Sequence, residues 1–357
     1  MEGTGIPYLC NDAISRRCVM VFGQRLHDGV QEAGGSHMES VPRIIIDTGG
    51  GIGSALAILF AMCESGLALQ GVTTVCGDWD AKQAAEQALR LLRLGASDAA
   101  ASPPVAAGAD RPFAHGRKGP LEEAHGRNGF GGALLPPPVG TVLDEPAASY
   151  LVRMANAYPG ELTLVMTGPA TNWPQALELD ERLADKFRHI VIAGGTVFAA
   201  GNATPVAERG FFDDPEAAER LLATCGERLT VVGLDVTMRT RLTEDALDRL
   251  ARCCPPERER IVAFMRRMLN HSFAYYRKEE NWFGAASLGA AAAVLAVADP
   301  SLFRTSVMRA TVETRAGLTA GMVVTDRRVR SRVGHQVRFC LEVDEERAVN
   351  RFLSAFA

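Results

Sequence analysis

The stretch Arg43-Ile44-Ile45-Ile46-Asp47-Thr48-Gly49-Gly50-Gly51-Ile52-Gly53-Ser54 decides how the rest of the chain is read. Three consecutive isoleucines are too uniformly apolar for a strand with one wet face, so this strand is expected to be buried on both faces, as in a parallel sheet. The run stops at an acid and a glycine-rich turn, and Ser54 to Cys63 continues as an apolar helical pattern. Strand, tight turn and helix make the first half of a βαβ unit.

The alternation recurs downstream. Leu69 to Cys76 reads as a second strand and Ala81 to Leu94 as a second helix. Glu161–Thr167, Ile190–Ala193 and Leu229–Leu234 read as further buried strands, with helical stretches such as Pro215–Ala223 between them. The pattern predicts an α/β fold: an open, largely parallel sheet with helices on both faces. Ligands of such sheets bind at the carboxyl ends of the strands, where Asp47, Asp78, Thr167 and Gly194 would gather. The Gly/Pro-rich segment 114–140 is expected to form the rim of that site.

Composition narrows the class. With 357 residues, 47% of them hydrophobic, the chain can bury a sizeable core. Its 42 acidic and 38 basic residues leave a net charge of −4, so no general basic field points to nucleic acid. The longest apolar stretch, Ala290–Ala298, falls far short of the ~20 residues that span a bilayer. Eight scattered cysteines contain no Cys-x-x-Cys pair, which predicts a reduced, cytoplasmic protein. Residues 1–38 carry no sustained period and end in Gly35-Ser36-His37-Met38. They are read as an extension or a cloning-derived segment ahead of a single domain over 39–357.

The glycine turn invites a dinucleotide reading, because glycines let a pyrophosphate approach a helix N-terminus. The spacing fails. Gly49-x-Gly51 needs a glycine at 54, where Ser stands, and Gly51-x-Gly53 needs one at 56, where Leu stands. Tyr150, Tyr158, Tyr275 and Tyr276 also lack the Lys four residues on that one large class of such dehydrogenases carries.

A second reading uses the whole chain. Ile44-Ile45-Ile46-Asp47-Thr48 is followed by Gly71-Val72-Thr73-Thr74-Val75-Cys76-Gly77-Asp78 and by His125-Gly126-Arg127-Asn128-Gly129. Then come Thr167-Gly168-Pro169-Ala170-Thr171-Asn172, Gly201-Asn202-Ala203-Thr204-Pro205-Val206-Ala207-Glu208 and Asp214-Pro215-Glu216-Ala217-Ala218. Leu234-Asp235-Val236-Thr237 and Gly321-Met322-Val323-Val324-Thr325-Asp326 complete the series. In this order they resemble the inosine/uridine-preferring nucleoside hydrolase family from about Val41 onward. The resemblance implies an open mixed sheet, a small-molecule ligand and a homodimer or homotetramer, with no role for nucleic acid or membrane.

The family's first turn reads D-T-D-P-G-x-D-D-A, and its acids hold a Ca²⁺, bind the ribose and activate water. Here the later acids fall on Gly49, Gly53 and Ser54, and Asp47 alone stays. The family's later His-Asp pair falls on Gly289-Ala290, and an Asn falls on Gly210. Ca²⁺ takes six to eight oxygen ligands, several of them anionic. Asp47, the Thr167 carbonyl and the Ser54 hydroxyl cannot supply that, so neither metal nor other cofactor is expected.

The polar groups left are the candidates. Asp78, His125 and Glu208 are singled out for acid–base work, since histidine as a residue type titrates near neutrality and a buried carboxylate is pushed toward it. The alternatives are a solvated loop for Asp78 and a loop-ordering hydrogen bond for His125. Asp47, Asn128, Thr167, Asn202, Phe211, Met238 and Trp282 are the candidate ligand contacts. Asp47 is read equally well as bonding nearby backbone donors. Ser54 and Asp214 are read as helix caps and Asp235 as structural. Three functions remain open: a repurposed, metal-independent enzyme for a small, less polar substrate, a biosynthetic one included; a catalytically silent binding or regulatory subunit; and residual N-glycosidase action.

Overall fold

A computed structural model describes residues 41–95, 102–114 and 119–357. The proposed extension over 1–38 lies outside the described residues, as do rim-loop positions 115–118. The strands are β1 (Arg43–Thr48), β2 (Ala68–Thr74), β3 (Val105–Ala107), β4 (Leu162–Met166), β5 (His189–Ala193) and β6 (Leu229–Val232). They continue with β7 (Arg241–Thr243), β8 (Ala285–Ser287), β9 (Phe303–Val312), β10 (Val323–Thr325) and β11 (His335–Val343). The helices are α1 (Gly51–Cys63), α2 (Ala81–Gly95), α3 (Glu122–His125), α4 (Ala147–Ala157), α5 (Asn172–Leu179), α6 (Leu183–Lys186) and α7 (Arg209–Asp213). After them come α8 (Pro215–Cys225), α9 (Leu234–Thr237), α10 (Glu244–Cys253), α11 (Glu259–Glu280), α12 (Ala291–Ala298) and α13 (Glu345–Ser354).

Among the described residues nine strands form one sheet in the order β10-β9-β11-β6-β5-β4-β1-β2-β3. The isoleucine run is near its centre. Ile44 lies opposite Thr163 of β4 and Leu69 of β2, with both neighbours parallel. Only the β9–β10 and β9–β11 pairs of this sheet are antiparallel, so the sheet is mixed at one end. Side chains alternate between the faces. Ile44, Ile46, Val165, Val191 and Val232 face a core built with α1, α11 and α12, while Ile45, Leu164, Ile190 and Val231 face a second core built with α4, α5 and α8.

Two local features differ from the sequence expectation. Helix α1 starts at Gly51, not Ser54, because the glycine turn supplies its first turn. Ser54 is therefore inside the helix and caps nothing. Asp214 does cap α8: it accepts from the Ala217 N–H at 3.1 Å, with Pro215 following it in the first turn. Asp235 is structural as expected, since it accepts from the backbone N–H groups of Val197, Phe198 and Ala199. Among the described residues no helix is long and apolar enough to cross a membrane.

Candidate functional site

A cavity of about 200 Å³ opens at the carboxyl ends of the parallel strands, with Gly49, Gly53, Ser54, Thr167, Tyr276 and Ala290 among its lining. Its floor is the turn between β1 and α1. Gly50 and Gly51 adopt φ of 84° and 86°, in the left-handed region where a side chain is strained. The first N–H groups of a helix are unsatisfied by the helix itself and form a natural anion site. Here they are occupied. The Gly51 N–H donates to Gln87 Oε1 at 3.4 Å and the Ile52 N–H to His125 Nδ1 at 3.3 Å. Gln87 also donates to the Asn128 carbonyl at 3.4 Å, so two side chains tie the rim loop to the floor. That occupancy gives a physical reason, beyond the imperfect glycine spacing, why a pyrophosphate does not fit.

The floor is also closely packed. A Cβ on Gly53 would come within 3.2 Å of the Ala290 backbone nitrogen, and one on Gly49 within 3.3 Å of the Gly77 Cα. A Cβ on Gly51 would meet the His125 ring at 3.2 Å. Ser54 turns its hydroxyl to the Thr167 carbonyl at 3.2 Å and the Thr167 hydroxyl at 3.1 Å.

Beneath this floor lies Asp47, fully buried. Its Oδ1 accepts from Thr73 Oγ1 at 2.7 Å and Asn172 Nδ2 at 2.8 Å, while Oδ2 has no hydrogen-bond partner. Burial pushes its carboxyl up to about 6, against the opposing hydrogen bonds of Thr73 and Asn172. Asp47 therefore bonds side chains, not the backbone donors expected.

The wall carries the remaining charge. Asp78 Oδ2 lies 3.3 Å from His125 Nε2 and Oδ1 lies 3.6 Å from Arg209 Nη2, while Oδ1 also accepts from the Leu121 N–H at 3.0 Å. Burial opposes ionisation of Asp78, but His125, Arg209 and the Leu121 N–H together hold its carboxyl below the usual range. The expectation that desolvation raises it is thus corrected. With Nδ1 accepting from Ile52, the proton that fits His125 is on Nε2, facing Asp78. Glu208 caps α7 through Gly210 and Phe211 and also accepts from the Gly195 N–H at 3.0 Å. Burial raises its carboxyl despite those three N–H groups.

Asn202 lines the cavity and fixes α7 by accepting from the Arg209 N–H at 2.9 Å. Besides Asp47, sealed beneath the floor, four of the expected ligand contacts are not brought to the wall. Phe211 is buried behind Gly194 and Gly195. Asn128 braces its own loop, accepting from Phe130 and Gly132 and donating to the Ala133 carbonyl. Met238 ends the short helix α9, outside the lining. Trp282 stacks behind Tyr276 at 4.9 Å between centroids, under the Arg241 guanidinium.

The residues missed are Arg209, Asp213, Tyr275 and Tyr276. Arg209 Nε donates to Asp213 Oδ2 at 2.8 Å across one helical turn. An Arg and an Asp four apart were visible in the sequence, but nothing local showed that they face a cavity.

Among the described residues no three His, Cys, Asp or Glu side chains stand together to hold a metal ion. A mostly parallel α/β sheet with a cavity at the carboxyl edge of its strands is the architecture of a small-molecule site. The model of the inosine-uridine preferring nucleoside hydrolase family matches residues 44–350, and the chain belongs to that family. It is 33% identical to probable uridine nucleosidase 2 of Arabidopsis thaliana, over 79% of this chain and 85% of that one. It is 38% identical to uridine nucleosidase 1 of the same plant, over 59% of this chain and 62% of that one. The chain thus spans less than two thirds of that second relative. A solved plant nucleoside hydrolase superposes with a TM-score of 0.81 at 28% identity, covering 89% of this chain and 99% of its own.

Proposed function

We propose that this chain is a calcium-independent member of its family: an enzyme whose pocket takes a small organic molecule less polar than a nucleoside. The observation that carries this is the floor. The turn from Thr48 to Ser54 presents no carboxylate to the cavity, and Gly49 and Gly53 are packed where side chains would have to project. One buried carboxylate, one carbonyl and one hydroxyl do not fit Ca²⁺, which is held by several anionic oxygens. The wall is consistent with a less polar guest, since Ile52, Leu121, Ala124, Pro169 and Ala290 share it with Tyr275 and Tyr276.

In this reading Asp78 and His125 carry the proton transfers. Asp78 holds the ring through Nε2–H, and His125 takes a proton at Nδ1 by giving up its 3.3 Å contact with the Ile52 N–H, the imidazolium then being stabilised by Asp78. Glu208 positions: both its oxygens are engaged by backbone N–H groups. The working unit is residues 39–357, assembled as a homodimer or homotetramer. The free cysteines among the described residues support a reducing, cytoplasmic setting.

A second reading, a catalytically silent binding subunit, is favoured by one observation. Asp78, Arg209 and Glu208 are already engaged within the protein, which suits holding a ligand better than attacking one. The deciding experiment incubates the full chain with uridine and inosine, with added calcium and with chelator. No release of base is expected in either arm. Calcium-dependent turnover at rates usual for enzymes (~1–10³ s⁻¹) would sink the proposal. Metal-independent release would instead establish residual N-glycosidase action. A thermal-shift screen of small organic molecules then finds the guest, and the Asp78→Asn, His125→Ala pair decides whether it is consumed or merely held.

A further inference from the structure

A second cavity, of about 390 Å³, lies away from the first, toward the amino ends of β4, β5 and β6 on the face packed by α12. Inward positions of a sheet covered on both faces are normally apolar. In this band they are not. Thr163 of β4 pairs with His189 of β5 and Thr230 of β6 with Arg338 of β11, while Thr230 lies opposite Val191, so Thr, His, Thr and Arg form a diagonal band across four adjacent strands. Two residues further along each strand the same face is Val165, Val191, Val232 and Cys340, part of the core under α12.

The polar band is built rather than merely exposed. Thr163 and Thr230 are buried, and His189 Nε2 lies 3.0 Å from Thr230 Oγ1. Burial, then the charges of Arg338 and Arg188, hold the His189 ring below its usual range, so the positive charge here belongs to the two arginines. No Asp or Glu is in the described lining. Among the described residues neither guanidinium is in an ion pair with an acid. Asp299, close in sequence to the wall residue Pro300, is turned instead to Ser301 and Arg347. The opposite wall is apolar: Ala296, Val297, Pro300 and Phe303.

Two unmatched guanidiniums over buried hydroxyls on one side, and an aliphatic and aromatic wall on the other, make a site with a charged end and a dry end. Guanidinium groups bind planar carboxylates through paired, charge-assisted hydrogen bonds. We propose that this second cavity binds a small organic acid, its carboxylate held by Arg188 and Arg338 and its apolar body lying against Val297 and Phe303. The site is separate from the nucleoside-hydrolase pocket and stands whether or not that pocket is catalytic.

The test is a calorimetric titration of the full chain with sodium hexanoate. Saturable binding of one hexanoate per chain is expected, weakening as salt is raised. Arg338→Gln and Arg188→Gln each weaken it by about tenfold or more, since each removes a charge-assisted contact. Both arginines reach solvent, so these variants are expected to melt like the parent. Val297→Trp, which fills the dry end, abolishes binding, and Asp78→Asn in the first cavity leaves it unchanged. Hexanol, with the same body and no charge, does not saturate. The proposal is overturned by an absence of saturable binding, by parent-like affinity in both arginine variants, or by loss of binding in Asp78→Asn. Inorganic phosphate binding as tightly as hexanoate would overturn the apolar half of the site.

Discussion

The floor and the wall of the first cavity treat charge in opposite ways. The floor, from Asp47 to Ser54, holds one carboxylate, sealed from water with one oxygen unpartnered, and burial sets its titration. The wall, from Asp78 to Asp213, is dense in charge, and its partners outweigh burial at Asp78. The same residue type thus moves in opposite directions within one pocket. Burial alone says little about a carboxylate until its neighbours are counted.

The largest effect is expected on the wall. Asp78→Asn combined with His125→Ala should lower turnover of the true substrate by about 10²–10⁴-fold, the usual worth of a positioned acid–base group. A steady-state assay that shows unchanged turnover would remove the wall from the chemistry.

The floor is expected to resist repair. Gly53→Asp should cost about 1–3 kcal/mol, because its side chain must displace the Ala290 backbone. Calcium should restore none of the lost melting temperature. A variant as stable as the parent that gains a micromolar calcium site would erase the contrast between the two regions.

Next comes the pH response of Asp47. Its folded value, about 6, lies above the ordinary 3.8. The protonated form is therefore favoured by folding, and that contribution is complete below pH 3.8 and lost as pH rises through about 6. It is worth at most about 3 kcal/mol. Asp47→Asn should flatten the pH dependence of the melting temperature between pH 4 and 7, and an unaltered profile would show that another group controls it. Asp78 acts with the opposite sign: its contribution is present above the ordinary carboxylate range and fades as pH falls through its lowered value. The smallest effect belongs to the extension. A chain beginning at Met38 should melt within about a degree of the full chain, since the family match begins only at residue 44; a larger drop in calorimetry would show that the segment packs.

The buried parallel strands were legible because their sequences carry the signal themselves. Ile44-Ile45-Ile46 and Leu162–Met166 are apolar at every position or nearly so. The antiparallel end was not. β9 and β11 mix exposed, half-buried and buried residues without a fully apolar run, and no strand beyond Leu234 was identified from the residues alone. At the site, the acid-free turn from Thr48 to Ser54 was readable directly, and of the candidates Asp78, His125, Thr167, Asn202 and Glu208 line the cavity. Other contributors were not, because Gln87 braces the floor, and Arg209 and Tyr276 reach the cavity, from helices far apart in sequence. An Arg four residues before an Asp looks like any surface pair until the fold turns it inward.

The central placement of β1 has a consequence in time. Arg43 pairs with Ala68 soon after it is made, but its other partner is Leu162. At synthesis rates of about 5–20 residues per second, that edge waits roughly 6–24 s for its neighbour. During the wait Ile44-Ile45-Ile46 offers an unpaired, strongly β-forming edge to any other nascent chain. The strand that anchors the finished sheet is therefore the segment most in need of a chaperone while the ribosome is still working.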